Sequence, residues 1–358
     1  MIVSRTPYRI SFFGGGTDYP AWYRAHGGAV LAATIDKYCY LTCRYLPPFF
    51  EHRLRVVYSK IETCQERTEL QHPAVREVLG YLDIDRGIEI HHDGDLPARS
   101  GMGSSSAFTV GLLHALHALK GEMPSKHQLA LEGIHLEQER LRETVGSQDQ
   151  VLAAYGGFNH VAFGTDGSIS VRPMTLGRNR ITELNDHLML FFTGVRRTAS
   201  EVASSYLKGI ARNEEALRRM SAMVDEGIKI LTGNTDISAF GKLLHDAWAA
   251  KRSLGGAVSN GHVDEIYEEA LRAGALGGKI TGAGGGGFLL LFVDPQLRAA
   301  VRERLTRLLH IPFRIEFSGS QIVFFDPEED FSVQERERQA RPVAKFSELK
   351  AHPARRRR

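Results

Sequence analysis

Residues 96–107 read Leu-Pro-Ala-Arg-Ser-Gly-Met-Gly-Ser-Ser-Ser-Ala, and no other segment constrains the fold of this chain as tightly. Gly87 to His92, just before it, has the composition of a short strand. After it, Ala107, Phe108, Val110, Leu112, Leu113, Leu116 and Leu119 recur at helical spacing as far as Gly121. Glycines in a strand-to-helix turn let backbone approach a ligand closely, and the free N–H groups of a helix start favour an anion. Serine hydroxyls there can reach phosphate oxygens or a magnesium ion. A flexible turn with a serine N-cap is the competing reading. The segment is not a Walker A loop, because the terminal Gly-Lys-[Ser/Thr] is missing. Nor is it a nucleophile elbow, since Ala107 stands where G-x-S-x-G needs its second glycine.

The 358 residues are enough for a little over two domains. Strands and helices mix without a regular βαβ alternation, so an α+β fold is expected, with a boundary near residue 180. Units of 1–180 and 181–330 are expected. Residues 331–358 carry nine Lys or Arg against three Asp or Glu, leaving a net charge near −3 on the body. This basic tail is expected to be disordered and dispensable for catalysis. It has only two aromatic residues, Phe331 and Phe346, and therefore no stacking platform, so no nucleic-acid partner is expected. No apolar run approaches a membrane span of ~18 residues, and the first residues lack a signal peptide's apolar stretch. Three cysteines, Cys39, Cys43 and Cys64, suit a reducing cytoplasm better than a disulfide framework. No second Cys or His pair completes a zinc set with Cys39 and Cys43.

Three further segments carry chemistry. Lys279 to Phe288 (KITGAGGGGF) formally matches G-x-G-x-x-G, but an apolar strand follows instead of the helix a dinucleotide fingerprint needs. So many glycines before a buried strand suggest backbone packed on a ligand or another loop; a tight hairpin is the alternative. Pro7 to Tyr19 (PYRISFFGGGTDY) places Arg9 in an apolar strand, where burial demands an anionic partner. Asp18 follows a glycine triplet and suits a grip on sugar hydroxyls. In 126–143, Glu137 lies three residues after Ile134 and four before Leu141, on the buried stripe of its helix, whereas Glu139 faces solvent. A buried carboxylate needs a cation such as magnesium or a buried ion pair. Asp149, in Gly146 to Gln150, is either a helix cap or a working carboxylate.

Together, P-x-R-I near the start, P-x-x-x-G-[LM]-G-S-S near residue 100 and the G-A-G-G-G block in the last third resemble the GHMP small-molecule kinases. Residues 11–19, 146–157 and 192–201 look most like the branch that acts on D-glycero-D-manno-heptose 7-phosphate. The resemblance covers roughly residues 1–330. It implies a two-domain α+β fold, with an N-terminal half like domain 2 of ribosomal protein S5 and a ferredoxin-like C-terminal half. ATP and Mg2+ are implied as cofactors, and a sugar phosphate as acceptor. Gly101, Met102, Gly103, Ser104, Ser105 and Ser106 would wrap the ATP phosphates. Ser105 and Glu137 would ligate magnesium. Asp149 would activate the acceptor hydroxyl and Arg9 would stabilise the reacting oxygens. Gly15, Gly16, Thr17 and Asp18 match sugar-contacting positions. Gly282, Ala283, Gly284 and Gly285 would close over substrate and support the phosphate loop. Gln138 stands where many relatives have an arginine. A 7-phosphate needs a cationic socket, for which Arg196, Arg197 and Lys37 are candidates.

The expected reaction is in-line transfer of the ATP γ-phosphoryl group to the anomeric hydroxyl of heptose 7-phosphate. A fucokinase- or galactokinase-like enzyme with an unphosphorylated acceptor is the alternative. A non-catalytic sugar and ATP sensor is disfavoured by the presence of Ser105, Glu137, Asp149 and Arg9. A homodimer stays open; no membrane partner is expected.

Overall fold

The computed structural model describes residues 1–98, 100–195, 209, 212–256, 258–327 and 331–340. The first unit runs β1 (Ile2–Phe13), α1 (Pro20–His26), β2 (Gly28–Tyr45), β3 (Leu54–Val57), β4 (Ile61–Cys64), α2 (Pro73–Tyr81), β5 (Ile88–Gly94), α3 (Ser104–Leu119), α4 (Lys126–His135), α5 (Gln148–Tyr155), β6 (Phe158–Phe163) and β7 (Ile169–Pro173). The second continues through α6 (Arg178–His187), β8 (Leu188–Phe192), α7 (Glu214–Thr232), α8 (Ser238–Ser253), α9 (Gly261–Arg272), β9 (Ala275–Ile280), β10 (Phe288–Val293), α10 (Arg298–Arg304) and β11 (Leu309–Ile311). β12 (Gln321–Phe325) and α11 (Ser332–Ala340) end the described chain.

The 18-residue strand β2 organises the first sheet. It pairs antiparallel with β1 along nearly its whole length, with β6 through Gly28–Ala33 and with β5 through Cys39–Tyr45. Between those stretches its backbone turns to the 314–316 segment: Asp36 N–H donates to Arg314 O and Glu316 N–H to Thr34 O. The 313–317 segment meets β2 only through an isolated bridge at Ile35–Ile315.

The second sheet is antiparallel in the order β11-β8-β10-β9. β9 escapes sequence reading because glycines occupy it for packing reasons. A Cβ on Gly277 would lie 2.0 Å from Gly241 O, so α8 sits directly on this strand. The two sheets share one apolar core. Phe240 of α8 meets Phe12 and Phe13 of β1 edge-on, at 5.5 and 5.0 Å between ring centroids, and Phe292 of β10 at 6.1 Å. Truncating such a buried phenylalanine to alanine costs about 3–5 kcal/mol.

β12 corrects the expected division of the chain. It leaves the second unit and pairs antiparallel with Ile2–Arg5 of β1, so residues 321–325 belong to the first sheet. The tail is corrected in part as well. Residues 332–340 are helical and docked, with Gly87 N–H donating to Glu335 Oε1 at 2.8 Å and Arg338 Nη1 to Pro48 O at 2.8 Å. Alternating charges at helical spacing and two backbone partners order this stretch; residues 341–358 lie outside the described ones. Among the described residues, no helix is long and apolar enough to cross a membrane.

Candidate active site

Arg9 stands near the middle of β1, 5% exposed, opposite Thr34 of β2. Its Nε donates to Asp149 Oδ1 and its Nη2 to Asp149 Oδ2, both at 2.6 Å. Nη1 donates to Gly101 O at 2.6 Å, and the backbone N–H of Arg9 to Met102 O at 3.0 Å. The anionic partner that burial demanded is thus Asp149, on the first turn of α5. The phosphate-loop backbone is held by the same residue.

Gly101 and Gly103 have φ of +79° and +73°, conformations that only glycine adopts without strain. Gly103 precedes the first turn of α3, whose free N–H groups face the loop mouth. Met102 contributes only backbone here, its side chain being fully buried. Ser104 begins the helix. Successive helical residues rotate by about 100°, so Ser105 is exposed while Ser106 turns inward. The hydroxyl beside Glu137 is therefore Ser106's, at 2.9 Å from Oε2, and not that of Ser105.

Glu137 is fully buried, as its stripe position predicts, on a π-helical turn (Leu136–Arg140) that follows α4. Gln150 Nε2 also donates to Oε2. Oε1 has no hydrogen-bond partner among the described residues. Burial pushes the acid up to about 8. A dry carboxylate with one vacant oxygen suits a hard cation. Among the described residues no cluster of three His, Cys, Asp or Glu forms a metal cage, so such an ion would draw its other oxygens from ligand and solvent.

The 14–18 turn closes the site from the other side. Asp18 is buried and accepts from Gly16 N–H at 2.8 Å. Burial raises its carboxyl above the usual range, with Asp149 nearby adding to the rise and a hydrogen bond from Gln148 opposing it. A Cβ on Gly146 would lie 1.8 Å from Asp18 Oδ2, so only glycine lets the two segments meet. Ser11 Oγ and the Gln148 side chain lie 3.3 and 3.7 Å from where a Gly15 Cβ would be. Ser11 Oγ and Gln148 Oε1 are buried without partners among the described residues, and so are available to an acceptor's hydroxyls.

Thr17 is corrected to a framework role. Its buried hydroxyl lies within hydrogen-bonding distance of the Gly14 and Ala29 carbonyls and accepts from Ala29 N–H, so it ties the 14–18 turn to the start of β2. Lys37, a candidate for the 7-phosphate socket, pairs its ammonium with Asp36 at 3.0 Å, on the stretch of β2 that meets Arg314. Arg196 and Arg197 lie outside the described residues.

The glycine block sits on the phosphate loop, as expected. A Cβ on Gly282 would lie 2.6 Å from Gly101 Cα, and one on Gly287 2.2 Å from Ser100 O. Gly284 and Gly285 pack on Val258, whose carbonyl accepts from Gly285 N–H. Ala283 is partly buried against the core. Gln138, the departure from the arginine of many relatives, donates to Val145 O and Ser147 Oγ, both at 3.1 Å, and braces the approach to Asp149.

Sequence reading placed Ser106 on the ATP phosphates and not beside Glu137, and it missed Gln150, Gln148 and two lysines. Lys279 Nζ donates to Phe12 O at 2.9 Å, and Lys251 Nζ donates to Gly282 O. Lys251 follows Leu244, Ala247 and Trp248 at i+7, i+4 and i+3 spacing, so the stripe argument used for Glu137 would have found it.

A helix start with free N–H groups, a carboxylate clasped beside it by Arg9 and a buried carboxylate with one unpartnered oxygen thus come together around the 100–106 loop. Two family models match the chain, the GHMP kinase N-terminal domain over residues 69–157 and the GHMP kinase C-terminal domain over 215–311. The chain belongs to the GHMP kinases, and is an ATP-dependent kinase of the sugar-kinase type. It is 29% identical to D-glycero-alpha-D-manno-heptose 7-phosphate kinase of Campylobacter jejuni, over 82% of this chain and 90% of that protein. It is 26% identical to the galactokinase of Pyrococcus furiosus, over 86% and 93%. The fold matches the crystal structure of a D-glycero-D-manno-heptose 1-phosphate kinase from Bacteroides thetaiotaomicron, with a TM-score of 0.75 and 23% identity, over 91% of this chain and all of that one.

Proposed function

We propose that the chain transfers the γ-phosphoryl group of ATP to the anomeric hydroxyl of D-glycero-D-manno-heptose 7-phosphate, giving the 1,7-bisphosphate and ADP. The carrying observation is the joint hold of Arg9 on Asp149 and on the Gly101 carbonyl, which sets a proton acceptor beside a phosphate loop. The acceptor assignment is supported by the heptose 7-phosphate kinase relative.

In this reading Asp149 takes the acceptor's proton as the acceptor oxygen attacks. The bond to the β,γ-bridging oxygen breaks, and its electron pair leaves on ADP. Arg9 orients the carboxylate and lends positive charge to the reacting oxygens. Asp18, Ser11 and Gln148 orient the sugar, and positioning supplies much of the acceleration. Glu137 and Ser106 would hold magnesium, the vacant Glu137 Oε1 being the fitting feature; when bound, the ion supplies charge neutralisation on the phosphates. Arg196, Arg197 and Lys37 are the candidates for the 7-phosphate socket.

The test is a coupled ADP-release assay across heptose 7-phosphate, mannose, fucose and galactose. Turnover is expected with heptose 7-phosphate above all. Faster turnover on an unphosphorylated sugar would overturn the acceptor, and no ADP release with any sugar would overturn the kinase reading.

A further inference from the structure

Two ammonium groups enter the site from the second unit, and the mechanism above uses neither. Lys279 is committed to the seam between the units, through its bond to the Phe12 carbonyl. Lys251 is placed differently. It is 4% exposed, near the C-terminal end of α8, and its one hydrogen-bond acceptor among the described residues is Gly282 O. An ammonium has three N–H donors, and burying it is costly unless anions answer it.

What Lys251 holds is the residue that rests on the phosphate loop. A Cβ on Gly282 would lie 2.6 Å from Gly101 Cα and 2.7 Å from Gly101 O. That same Gly101 oxygen accepts from Arg9 Nη1. Arg9 and Lys251 therefore grip the two segments that meet at this contact, one from each unit. The charges that act on Lys251 are those of Asp18, Asp149 and Arg9 from the first unit and of Lys279 from its own. The two carboxylates attract it and the two cations oppose it. An incoming phosphoryl group, bearing its negative charge on equatorial oxygens, is the partner this balance lacks.

We propose that Lys251 contacts the phosphoryl group in transfer as a second cation beside Arg9. The assignment rests on the phosphotransfer reading of the same site. As the acceptor oxygen bonds to γ-phosphorus, the bond to the bridging oxygen breaks and its electron pair departs with ADP. The acceptor's proton goes to Asp149. Lys251 keeps its three protons throughout, and donates to the equatorial oxygens. A cation fixed beforehand in a dry site needs no reorganisation when that charge develops. Its hold on Gly282 makes its position conditional on the seating of 282–287 over the phosphate loop. Burial and the neighbouring Arg9 bring the ammonium down to about 8, so its contribution disappears as pH rises through that value.

Lys251→Met keeps most of the length of the side chain and removes the charge; Asp149 keeps its two bonds from Arg9 and Asp18 its bond from Gly16 N–H, so neither carboxylate loses a hydrogen-bond partner and this variant should fold. The readout is calorimetric binding of ADP, and of ADP with aluminium fluoride, in magnesium-containing buffer without any sugar. Wild type is expected to bind the fluoride complex at least about 10²-fold more tightly than ADP, as phosphoryl-transfer mimics do. Lys251→Met should keep the ADP affinity and lose most of that increment. Lys251→Arg should retain most of it and move the alkaline limb of kcat/KM to higher pH. A full increment in Lys251→Met would overturn the assignment, and so would a parallel fall in ADP affinity and melting temperature, which marks a purely structural lysine. These outcomes do not depend on the acceptor's identity. A wild-type protein that binds no ADP would instead overturn the phosphotransfer reading, and this assignment with it.

Discussion

Arg9 meets Asp149 with both oxygens engaged, Nε to Oδ1 and Nη2 to Oδ2, while its remaining nitrogen holds the carbonyl of Gly101. One planar group thus fixes the carboxylate and the phosphate loop together. A lysine has no such fork. Arg9→Lys is expected to lower kcat by about 10²-fold or more, and to raise KM for ATP, in the ADP-release assay. Wild-type kcat in this variant would show that the fork is dispensable.

Asp149→Asn keeps the shape of the side chain and removes its basicity. Loss of a general base typically costs about 10²–10⁴-fold in rate. A loss of that size in kcat is expected, with ADP affinity by calorimetry nearly intact. If activity survives, Asp149 only caps α5 and orients Arg9.

Gly146→Ala forces a methyl group onto Asp18, whose Oδ2 sits 1.8 Å from the new atom's position. The 145–147 segment must move, and Asp149 with it. The expected result is a folded protein whose KM for the sugar rises and whose kcat falls, with KM for ATP changed least. An unaltered sugar KM would remove Asp18 from the acceptor site.

The pH dependence of stability is expected to carry the mark of His117, which joins α3 to α4. Its Nδ1 meets Glu122 Oε2 at 2.6 Å and its Nε2 meets Glu132 Oε2 at 2.7 Å, with the ring 5% exposed. Burial pushes the imidazole down, but the hydrogen bonds to Glu132 and Glu122 outweigh it and hold the group above its ordinary 6.5. The folded state therefore binds this proton more tightly than the unfolded one. The stabilisation is complete below pH 6.5 and is lost as pH rises through the folded-state value. Lys120 also pairs with Glu122 and moderates that arm. In thermal melts, the deficit of His117→Leu relative to wild type should be largest near pH 6 and shrink toward pH 9. A deficit independent of pH would refute the charged pairing.

Truncation after Asp330 removes α11 and its contacts with Gly87 and Pro48, both remote from Asp149. The melting temperature is expected to drop by a few degrees, consistent with losing about 1–2 kcal/mol from a pair of part-buried hydrogen bonds. kcat should be unchanged; a loss of turnover would give the tail a catalytic part.

The long periodic elements could be read from the sequence because a single local pattern dictates each. The dense stripe from Ala107 to Leu119 is α3, and the position of Glu137 between Ile134 and Leu141 did predict its burial. What escaped was set by partners distant in the chain. The glycines of β9 exist to admit α8, and nothing near Gly277 announces Gly241. Thr17 reads like a sugar contact until the Ala29 backbone claims its hydroxyl. Ser105 and Ser106 are interchangeable as letters, and only the rotation of α3 decides which one faces Glu137. The place of β12 could not be read at all, since a strand's sequence names its face but not its neighbour.

That placement has a consequence for how the molecule is made. While the ribosome is still working through the second unit, β1 has an open edge, and an unpaired edge is a template for the wrong chain. Only when residues 321–325 emerge can the first sheet be completed, and only after Gly282 has emerged can the phosphate loop acquire its cover. The nascent chain thus holds its catalytic half unfinished for most of its synthesis, with pairings of very long sequence separation left to form last. Such pairings slow folding. A kinase of this design is expected to mature after release rather than domain by domain during elongation, and shielding of its first strand during that interval becomes part of its biology.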